Sequence, residues 1–513
     1  MKLTTSITLV ALAASSMTAT AQDAFQPIHL KATDFIIATG QPSLLTWKLK
    51  NSYVPVWSLS GGTVGQSVSA ITPPLPKNCA GVKVELLVAS EESSAKSTFS
   101  DVYRAHLSQL QPGVGAEIRG IIGKPVRTPL ADGAPSLRTI TVEPYRIVEP
   151  GLPLVVRIQR EPGDSGDTYP RPAGLVSVTV TPLPSPPPIR LVQDRPGYNS
   201  WPMMQALGDK LVCAYSSGTA HNIVEGVRGV YARTSKDGGK TWEPEVCVTN
   251  QPDYGEVTIG KGLDENGAML LWVRCYGGPK PHHSLYRTVD GTSFELISTP
   301  PVDPLPMQIM DVVHIPTVGL VSFWFSGYKD GSCAWGTMVS TDNGATWTQN
   351  IVEDKLKSAD LPTEQSMVYL GDGKILGMAR TESHVGDSQF SQFQLTSTDY
   401  GKTWTKQRTN IRNIMSSSPS LILDAKTGYV SNYYYERGRG VIFRRRVKPE
   451  DVFEDPMAWP DAEAVALGSE VPWESGNCNA TFIGDDHYVS FYSGSGKQTS
   501  VYIAHVPPVK EEK

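Results

Sequence analysis

Between Thr363 and Arg380 the chain reads TEQSMVYLGDGKILGMAR, which sets a carboxylate, Glu364, sixteen residues before a guanidinium, Arg380. The residues between them alternate as a strand, turn at Asp372-Gly373 and return as a second strand, so the hairpin brings the two charged groups side by side. A planar guanidinium binds a carboxylate bidentately with charge-assisted hydrogen bonds. Arginines gathered without carboxylate partners repel one another, so a cluster of them makes sense around an anionic ligand. The carboxylate beside such a cluster is the group suited to proton transfer or to assisting a nucleophile.

These residues need a scaffold that brings several strand ends to one mouth. Three segments share the pattern S-x-D-x-G-x-T-W: Ser235 to Trp242, Ser340 to Trp347 and Ser397 to Trp404. Thr288 to Phe294 is a worn copy, set between the first two at matching intervals. A repeat of that length with four strands per unit means propeller blades. In each box the aspartate accepts backbone N–H bonds across a turn, the glycine takes positive φ and the tryptophan packs between blades, so the boxes are structural. Six segments begin innermost strands: Asn199, Glu256, Gln308, Glu364, Ser417 and Asn477. Their polar first positions should ring one mouth of the channel, with Gln308 placed to orient a partner there. Glu256 is placed to bind substrate hydroxyls or to balance Arg274. His282-His283 are expected to face solvent, and Arg444 to Arg446 to lie on an outer strand with alternating faces.

The rest of the 513 residues frames this region. Phe25 to Thr181 reads as strands separated by turn clusters, a β-sandwich whose aromatics Trp47, Tyr53 and Trp57 are core in preference to a sugar-binding patch. The expected organisation is a signal peptide over 1–21, the sandwich over 22–181, a proline-rich linker over 182–188 (PLPSPPP) that cannot join a ladder, and a six-bladed propeller over 189–508. The fold class is therefore all-β. Lys2, the apolar run Ile7 to Ala14 and Ala19-Thr20-Ala21 form the signal peptide, so the mature protein is expected to be secreted, periplasmic or on the cell surface. A net charge of -5 from 46 basic and 51 acidic residues gives no polyanion-binding surface of the kind nucleic acid requires. No later segment approaches the length of a membrane span. The six cysteines lack metal-site spacing, and several sit in apolar strand patterns; export leaves one or two bridges open.

The boxes, the six-blade count and the segment E-Q-S-M-V-Y-L-x-D-G-K-I-L-x-x-x-R together resemble the sialidase (neuraminidase) superfamily. The resemblance covers the propeller and leaves the sandwich aside. It implies three arginines on the substrate carboxylate, a Glu–Tyr nucleophile pair and an Asp acid/base. Carried over residue by residue, Arg195 in Asp194-Arg195-Pro196 matches the first arginine, Glu364 the glutamate and Arg380 the second arginine. Arg437 in YYYERGRG, one blade after Arg380, is the third, with Arg439 as the alternative. Sialic acids carry a carboxylate on the anomeric carbon, which is what such a set would hold.

Two positions depart from the family. No Asp occurs between Leu211 and Lys236, where the acid/base should lie; His221, in the segment YSSGTAHNIVEG, is the candidate in its place. The expected tyrosine of the sixth blade is replaced by Gly476-Asn477-Cys478-Asn479, so either a tyrosine arrives from elsewhere or Glu364 activates water and the stereochemistry inverts. The resemblance implies an exo-sialidase acting on sialylated glycans or glycoproteins, without metal or cofactor. A non-catalytic sialic-acid-binding propeller is the alternative, followed by a structural adhesin and a hydrolase of another sugar.

Overall fold

The computed structural model describes residues 25–509, apart from 50–51, 60–64, 91–98, 111–116, 123–125, 130–135, 162–172, 222–227, 328–329, 382–390, 413–417 and 472–473. The signal-peptide segment lies outside the described residues. Nearly every described element is a strand, and among the described residues no helix is long and apolar enough to cross a membrane. The chain divides into two compact bodies, one ending at Ser185 and the other beginning at Pro186.

The N-terminal body holds two six-stranded antiparallel sheets. Alternate residues of the long strands Cys79–Ser90 and Pro153–Glu161, such as Val84, Leu86, Val156 and Ile158, share one buried core. This is the period-2 burial that alternating sequence demands. Trp47 and Trp57 are buried, Trp57 donating its indole N–H to the Ala32 carbonyl, whereas Tyr53 is 72% exposed. The proline run departs from the expected linker: Pro182 and Pro184 belong to the strand Ala173–Pro184 and pair with Val82 and Cys79. The neighbour on the other side pairs only as far as Val180, so the missing proline N–H groups cost the sheet nothing there.

In the C-terminal body six four-stranded antiparallel modules follow one another. The sixth is completed by the strand Arg190–Gln193, which pairs with Gln498–Val506 at the far end of the body. The innermost strands are Tyr198–Leu207, Gly255–Leu263, Gln308–Ile315, Pro362–Gly371, Ser420–Leu423 and Ser475–Ile483. Each packs against the next and the sixth against the first, so the ring closes.

The turn boxes lie between the third and fourth strands of their modules. Asp342 accepts the Thr346 N–H at 2.8 Å and the Thr346 hydroxyl at 2.6 Å, and Asp237, Asp399 and the worn Asp290 repeat this. These bonds hold the Asp237 and Asp290 carboxyls down at about 2. The Trp347 and Trp404 indoles meet Trp272 and Phe323 of neighbouring modules at 5.2 and 4.8 Å between ring centres. All six cysteines are free, five of them buried.

Candidate active site

A β-bulge recurs at one level of the ring. In the fourth module Thr363 pairs with Arg380 and Ser366 with Met378, so the inner strand carries one extra residue there. The same count holds between Ser200 and Met203, Val257 and Gly260, Ile309 and Val312, and Gly476 and Asn479. In the fifth module the level follows from inter-strand bonds: Ser366 Oγ accepts the Leu421 N–H, and Ser420 Oγ accepts the Ala480 N–H. The residues equivalent to Glu364 are therefore Trp201, Thr258, Met310, Ser418 and Asn477. All six line one cavity of about 200 Å³. Trp201, Glu364 and Asn477 hold φ of 49°, 46° and 46°, a left-handed conformation that costs a non-glycine residue about 1–3 kcal/mol and concentrates at functional sites.

This register corrects four of the six ring positions expected from sequence. The level of Glu364 falls on Trp201, Thr258, Met310 and Ser418, not on Asn199, Glu256, Gln308 and Ser417, the last of which lies outside the described residues. Because a bulge shifts the facing of every residue before it, strand starts alone do not fix which side chain meets the cavity. Asn199 is buried, donating to the Arg195 and Thr499 carbonyls. Glu256 accepts from the Thr249 hydroxyl and the Gln251 N–H, and does not pair with Arg274. Gln308 still reaches the cavity wall.

Glu364, Arg380, Arg437 and His221 all line the cavity. Arg380 Nη1 lies 2.5 Å from Glu364 Oε1, and the Ser418 hydroxyl donates to the other carboxylate oxygen. Arg437, 5% exposed, donates from Nε to the Ser475 carbonyl at 2.8 Å and from Nη2 to Asn477 Oδ1 at 3.3 Å. Gly476, at φ 142°, makes this possible: a Cβ there would stand 2.6 Å from Arg437 Nη2. The alternative, Arg439, is instead paired with Glu436.

Arg195 is not brought into the set. Its guanidinium turns to Glu245 at 2.8 Å and lies 4.0 Å over the Tyr231 ring, outside the cavity lining. It precedes the inner strand, which begins at Tyr198, and a charged group there gains more from Glu245 and the ring face than from crossing to the mouth. The expectation for His283 is likewise corrected: it is fully buried, bonded to the Pro306 carbonyl, because it pairs with Arg274 inside the sheet, whereas His282 stays partly exposed.

His221 Nδ1 lies 2.6 Å from the Tyr198 hydroxyl, and its ring packs 5.6 Å from Trp201. Burial, then the charges of Arg437 and Arg228, push the imidazole down to about 4. It is therefore neutral at neutral pH until a negative group offsets that field.

Four functional candidates escaped the sequence reading. Tyr492, wholly buried, has its hydroxyl 3.5 Å from Arg437 Nη2 and feels the Glu364 charge; it pairs with Gly476, the register that Arg380 occupies against Thr363. Arg274 lines the cavity in that same register, sixteen residues after Thr258 as Arg380 follows Glu364. That shared spacing was the available signal. Trp201 forms part of the wall, and Asp311 sits in its floor with its carboxylate accepting from the Ser366 hydroxyl at 3.4 Å. Among the described residues no group of His, Cys, Asp or Glu is arranged to hold a metal ion.

No protein-family model matches the chain, and no curated protein matches its sequence. Among solved structures, the NanB sialidase from Streptococcus pneumoniae in complex with 2-[(3-chlorobenzyl)ammonio]ethanesulfonate is similar at a TM-score of 0.50 and 12% identity, over 83% of this chain and 95% of that one. The fold is sialidase-like. A protein of unknown function from Dyadobacter fermentans DSM 18053 is similar at a TM-score of 0.51 and 17% identity, over 63% of this chain and all of that one. In this chain Glu364 and Arg380 stand together at the bulge of the fourth module.

Proposed function

We propose that the chain is an exported glycoside hydrolase, a six-bladed β-propeller carrying an N-terminal β-sandwich, that releases terminal sialic acids from sialylated glycans and glycoproteins. The observation that carries this reading is the convergence of Glu364, Arg380, Arg437 and His221 on one cavity at the bulge level of the ring. Arg380 and Arg437, on neighbouring modules, hold the substrate carboxylate through charge-assisted hydrogen bonds. Asn477 and the Ser475 carbonyl fix the Arg437 guanidinium, and Glu364 fixes Arg380, so the donors are set before the ligand arrives. Gln308 orients the sugar from the third module.

Glu364 drives the attack on the anomeric carbon. Tyr492 is buried behind Arg437 and does not reach the cavity, so water is the attacking group and the first product is the inverted anomer. His221 handles the leaving-group proton. Its imidazole gains proton affinity once the bound carboxylate offsets the Arg437 and Arg228 charges. The positive charge that develops at the anomeric centre is stabilised by Glu364 and the adjacent substrate carboxylate.

Isothermal titration with 3'-sialyllactose, run beside an assay of free sialic acid, tests the reading. Release by the wild type, with binding lost in Arg437→Met, supports it. Binding without release would mark the non-catalytic sialic-acid-binding propeller instead. Neither binding nor release would overturn both.

A further inference from the structure

Arg274 of the second module and Arg228, immediately before the third strand of the first, carry guanidinium groups that do not hold the sialic acid in the reaction above. Arg274 is half-buried on the cavity wall and has no hydrogen bond or ion pair among the described residues. Arg228 is 0% exposed, and none of its three guanidinium nitrogens has an aligned hydrogen-bond partner there. Its flat face packs 4.9 Å from the Trp201 ring centre and 5.5 Å from that of Tyr198. Tyr276 joins the two arginines: its ring centre is 5.7 Å from the Arg274 guanidinium carbon, its hydroxyl lies close to Arg228, and that hydroxyl too lacks an aligned partner.

The backbone is built to admit these groups. A Cβ on Gly218 would stand 2.6 Å from Arg228 Cγ, and one on Gly255 would stand 2.5 Å from the Tyr276 ring. The nearby acid, Glu256, is turned to Thr249 and Gln251. A buried charge without a counter-ion is strongly unfavourable, and two guanidinium groups about one phenol also repel each other. An anion beside them would offset both costs.

Position in the ring separates this anion from the first. The second module stands opposite the fifth, which carries Arg437, and two steps from the fourth, which carries Arg380. We infer that Arg274, backed by Tyr276 and Arg228, forms a second oxyanion subsite, so that the preferred glycans carry a second acidic group, a carboxylate or a sulfate, beyond the sialic acid that is released. This rests on the sialoside reading for its sugar but not for its anion.

In the Glu364→Gln variant, expected to hold substrate while turning it over at least about a hundredfold more slowly, titration compares 3'-sialyllactose with its α2,8-disialyl and 6-sulfo counterparts. At least one doubly acidic ligand should bind about tenfold more tightly, the effect of one added charge-assisted contact. Adding Arg274→Gln should bring that ratio to within about twofold. Preference for the carboxylate or the sulfate identifies the source of the anion. A ratio unchanged by Arg274→Gln, or no preference in the parent, overturns the subsite. Inorganic sulfate separates this from failure of the sialoside reading. A saturable rise in melting temperature that survives Arg380→Gln and disappears in Arg274→Gln supports the subsite even if no sialoside binds; a rise indifferent to Arg274 overturns it.

Discussion

Arg380 Nη1 stands 2.5 Å from Glu364 Oε1, across a hairpin whose bulge gives Glu364 a φ of 46°. The left-handed backbone turns the carboxylate into the cavity, and the guanidinium holds it there. In this geometry Glu364→Gln keeps the shape of the site and loses the charge. Turnover of a sialoside should fall about 10²–10⁴-fold, the range for loss of a positioned acid–base group. Binding should stay within about threefold. Steady-state kinetics and titration with the same ligand check both.

Removing Arg437 should act differently. Arg437→Met takes away a donor that Asn477 and Ser475 have already fixed, so the loss should appear in KM as well as kcat. Arg195→Met is the contrast: its partners are Glu245 and the Tyr231 ring, outside the cavity, so KM and kcat should match the wild type while the melting temperature drops. Equal kinetic losses in the two variants would show that Arg195 reaches the substrate after all.

The stereochemical outcome follows from the burial of Tyr492. Proton NMR of the first-formed product should show the anomer inverted relative to the substrate, and Tyr492→Phe should change kcat by less than about tenfold. Retention, together with inactivity of Tyr492→Phe, would make Tyr492 the nucleophile.

The ring was legible in the sequence because its signals are local. The boxes mark a turn through one aspartate and one glycine each, and Asp342 and Asp399 make the bonds their sequence calls for. Glu364 and Arg380 were legible for a similar reason: one hairpin contains both. Arg195 was misplaced because its side chain answers to Glu245, distant in the chain, through a contact that no local pattern encodes. Arg274 was missed because its facing depends on bulge register, which shifts by a single residue and leaves no mark in composition. The strand pairing of Pro182 and Pro184 turned on which side of that strand lacks a neighbour.

The boxes themselves make a prediction about stability. Asp342→Ala removes an acceptor bonded to the Thr346 N–H and hydroxyl and to the Ser340 hydroxyl. It should lower stability by about 2 kcal/mol, the worth of hydrogen bonds to a charged group. No box aspartate lines the cavity, so kcat/KM per folded molecule should not change. Denaturant unfolding and active-site titration check the two halves.

Acid should weaken the fold through its buried histidines. His221, His283 and His487 are each lowered from 6.5 to about 4, chiefly by burial. The unfolded chain therefore binds more protons between those values, and stability is fully present above about pH 6.5 and lost as pH falls towards 4. Each histidine contributes on the order of 1–3 kcal/mol. His487→Phe should flatten the fall measured by thermal unfolding at a series of pH values, although His487 is not one of the cavity-lining residues and is bonded to the Tyr433 hydroxyl. A midpoint independent of pH across this window would contradict the assignment.

The most direct test of the whole account is the initial rate at which free sialic acid appears from 3'-sialyllactose, measured for the wild type and for Glu364→Gln at the same enzyme concentration. Release by the wild type is expected, with a rate at least about a hundredfold lower in the variant and ligand still bound. No release by the wild type, or equal release by both, would contradict it.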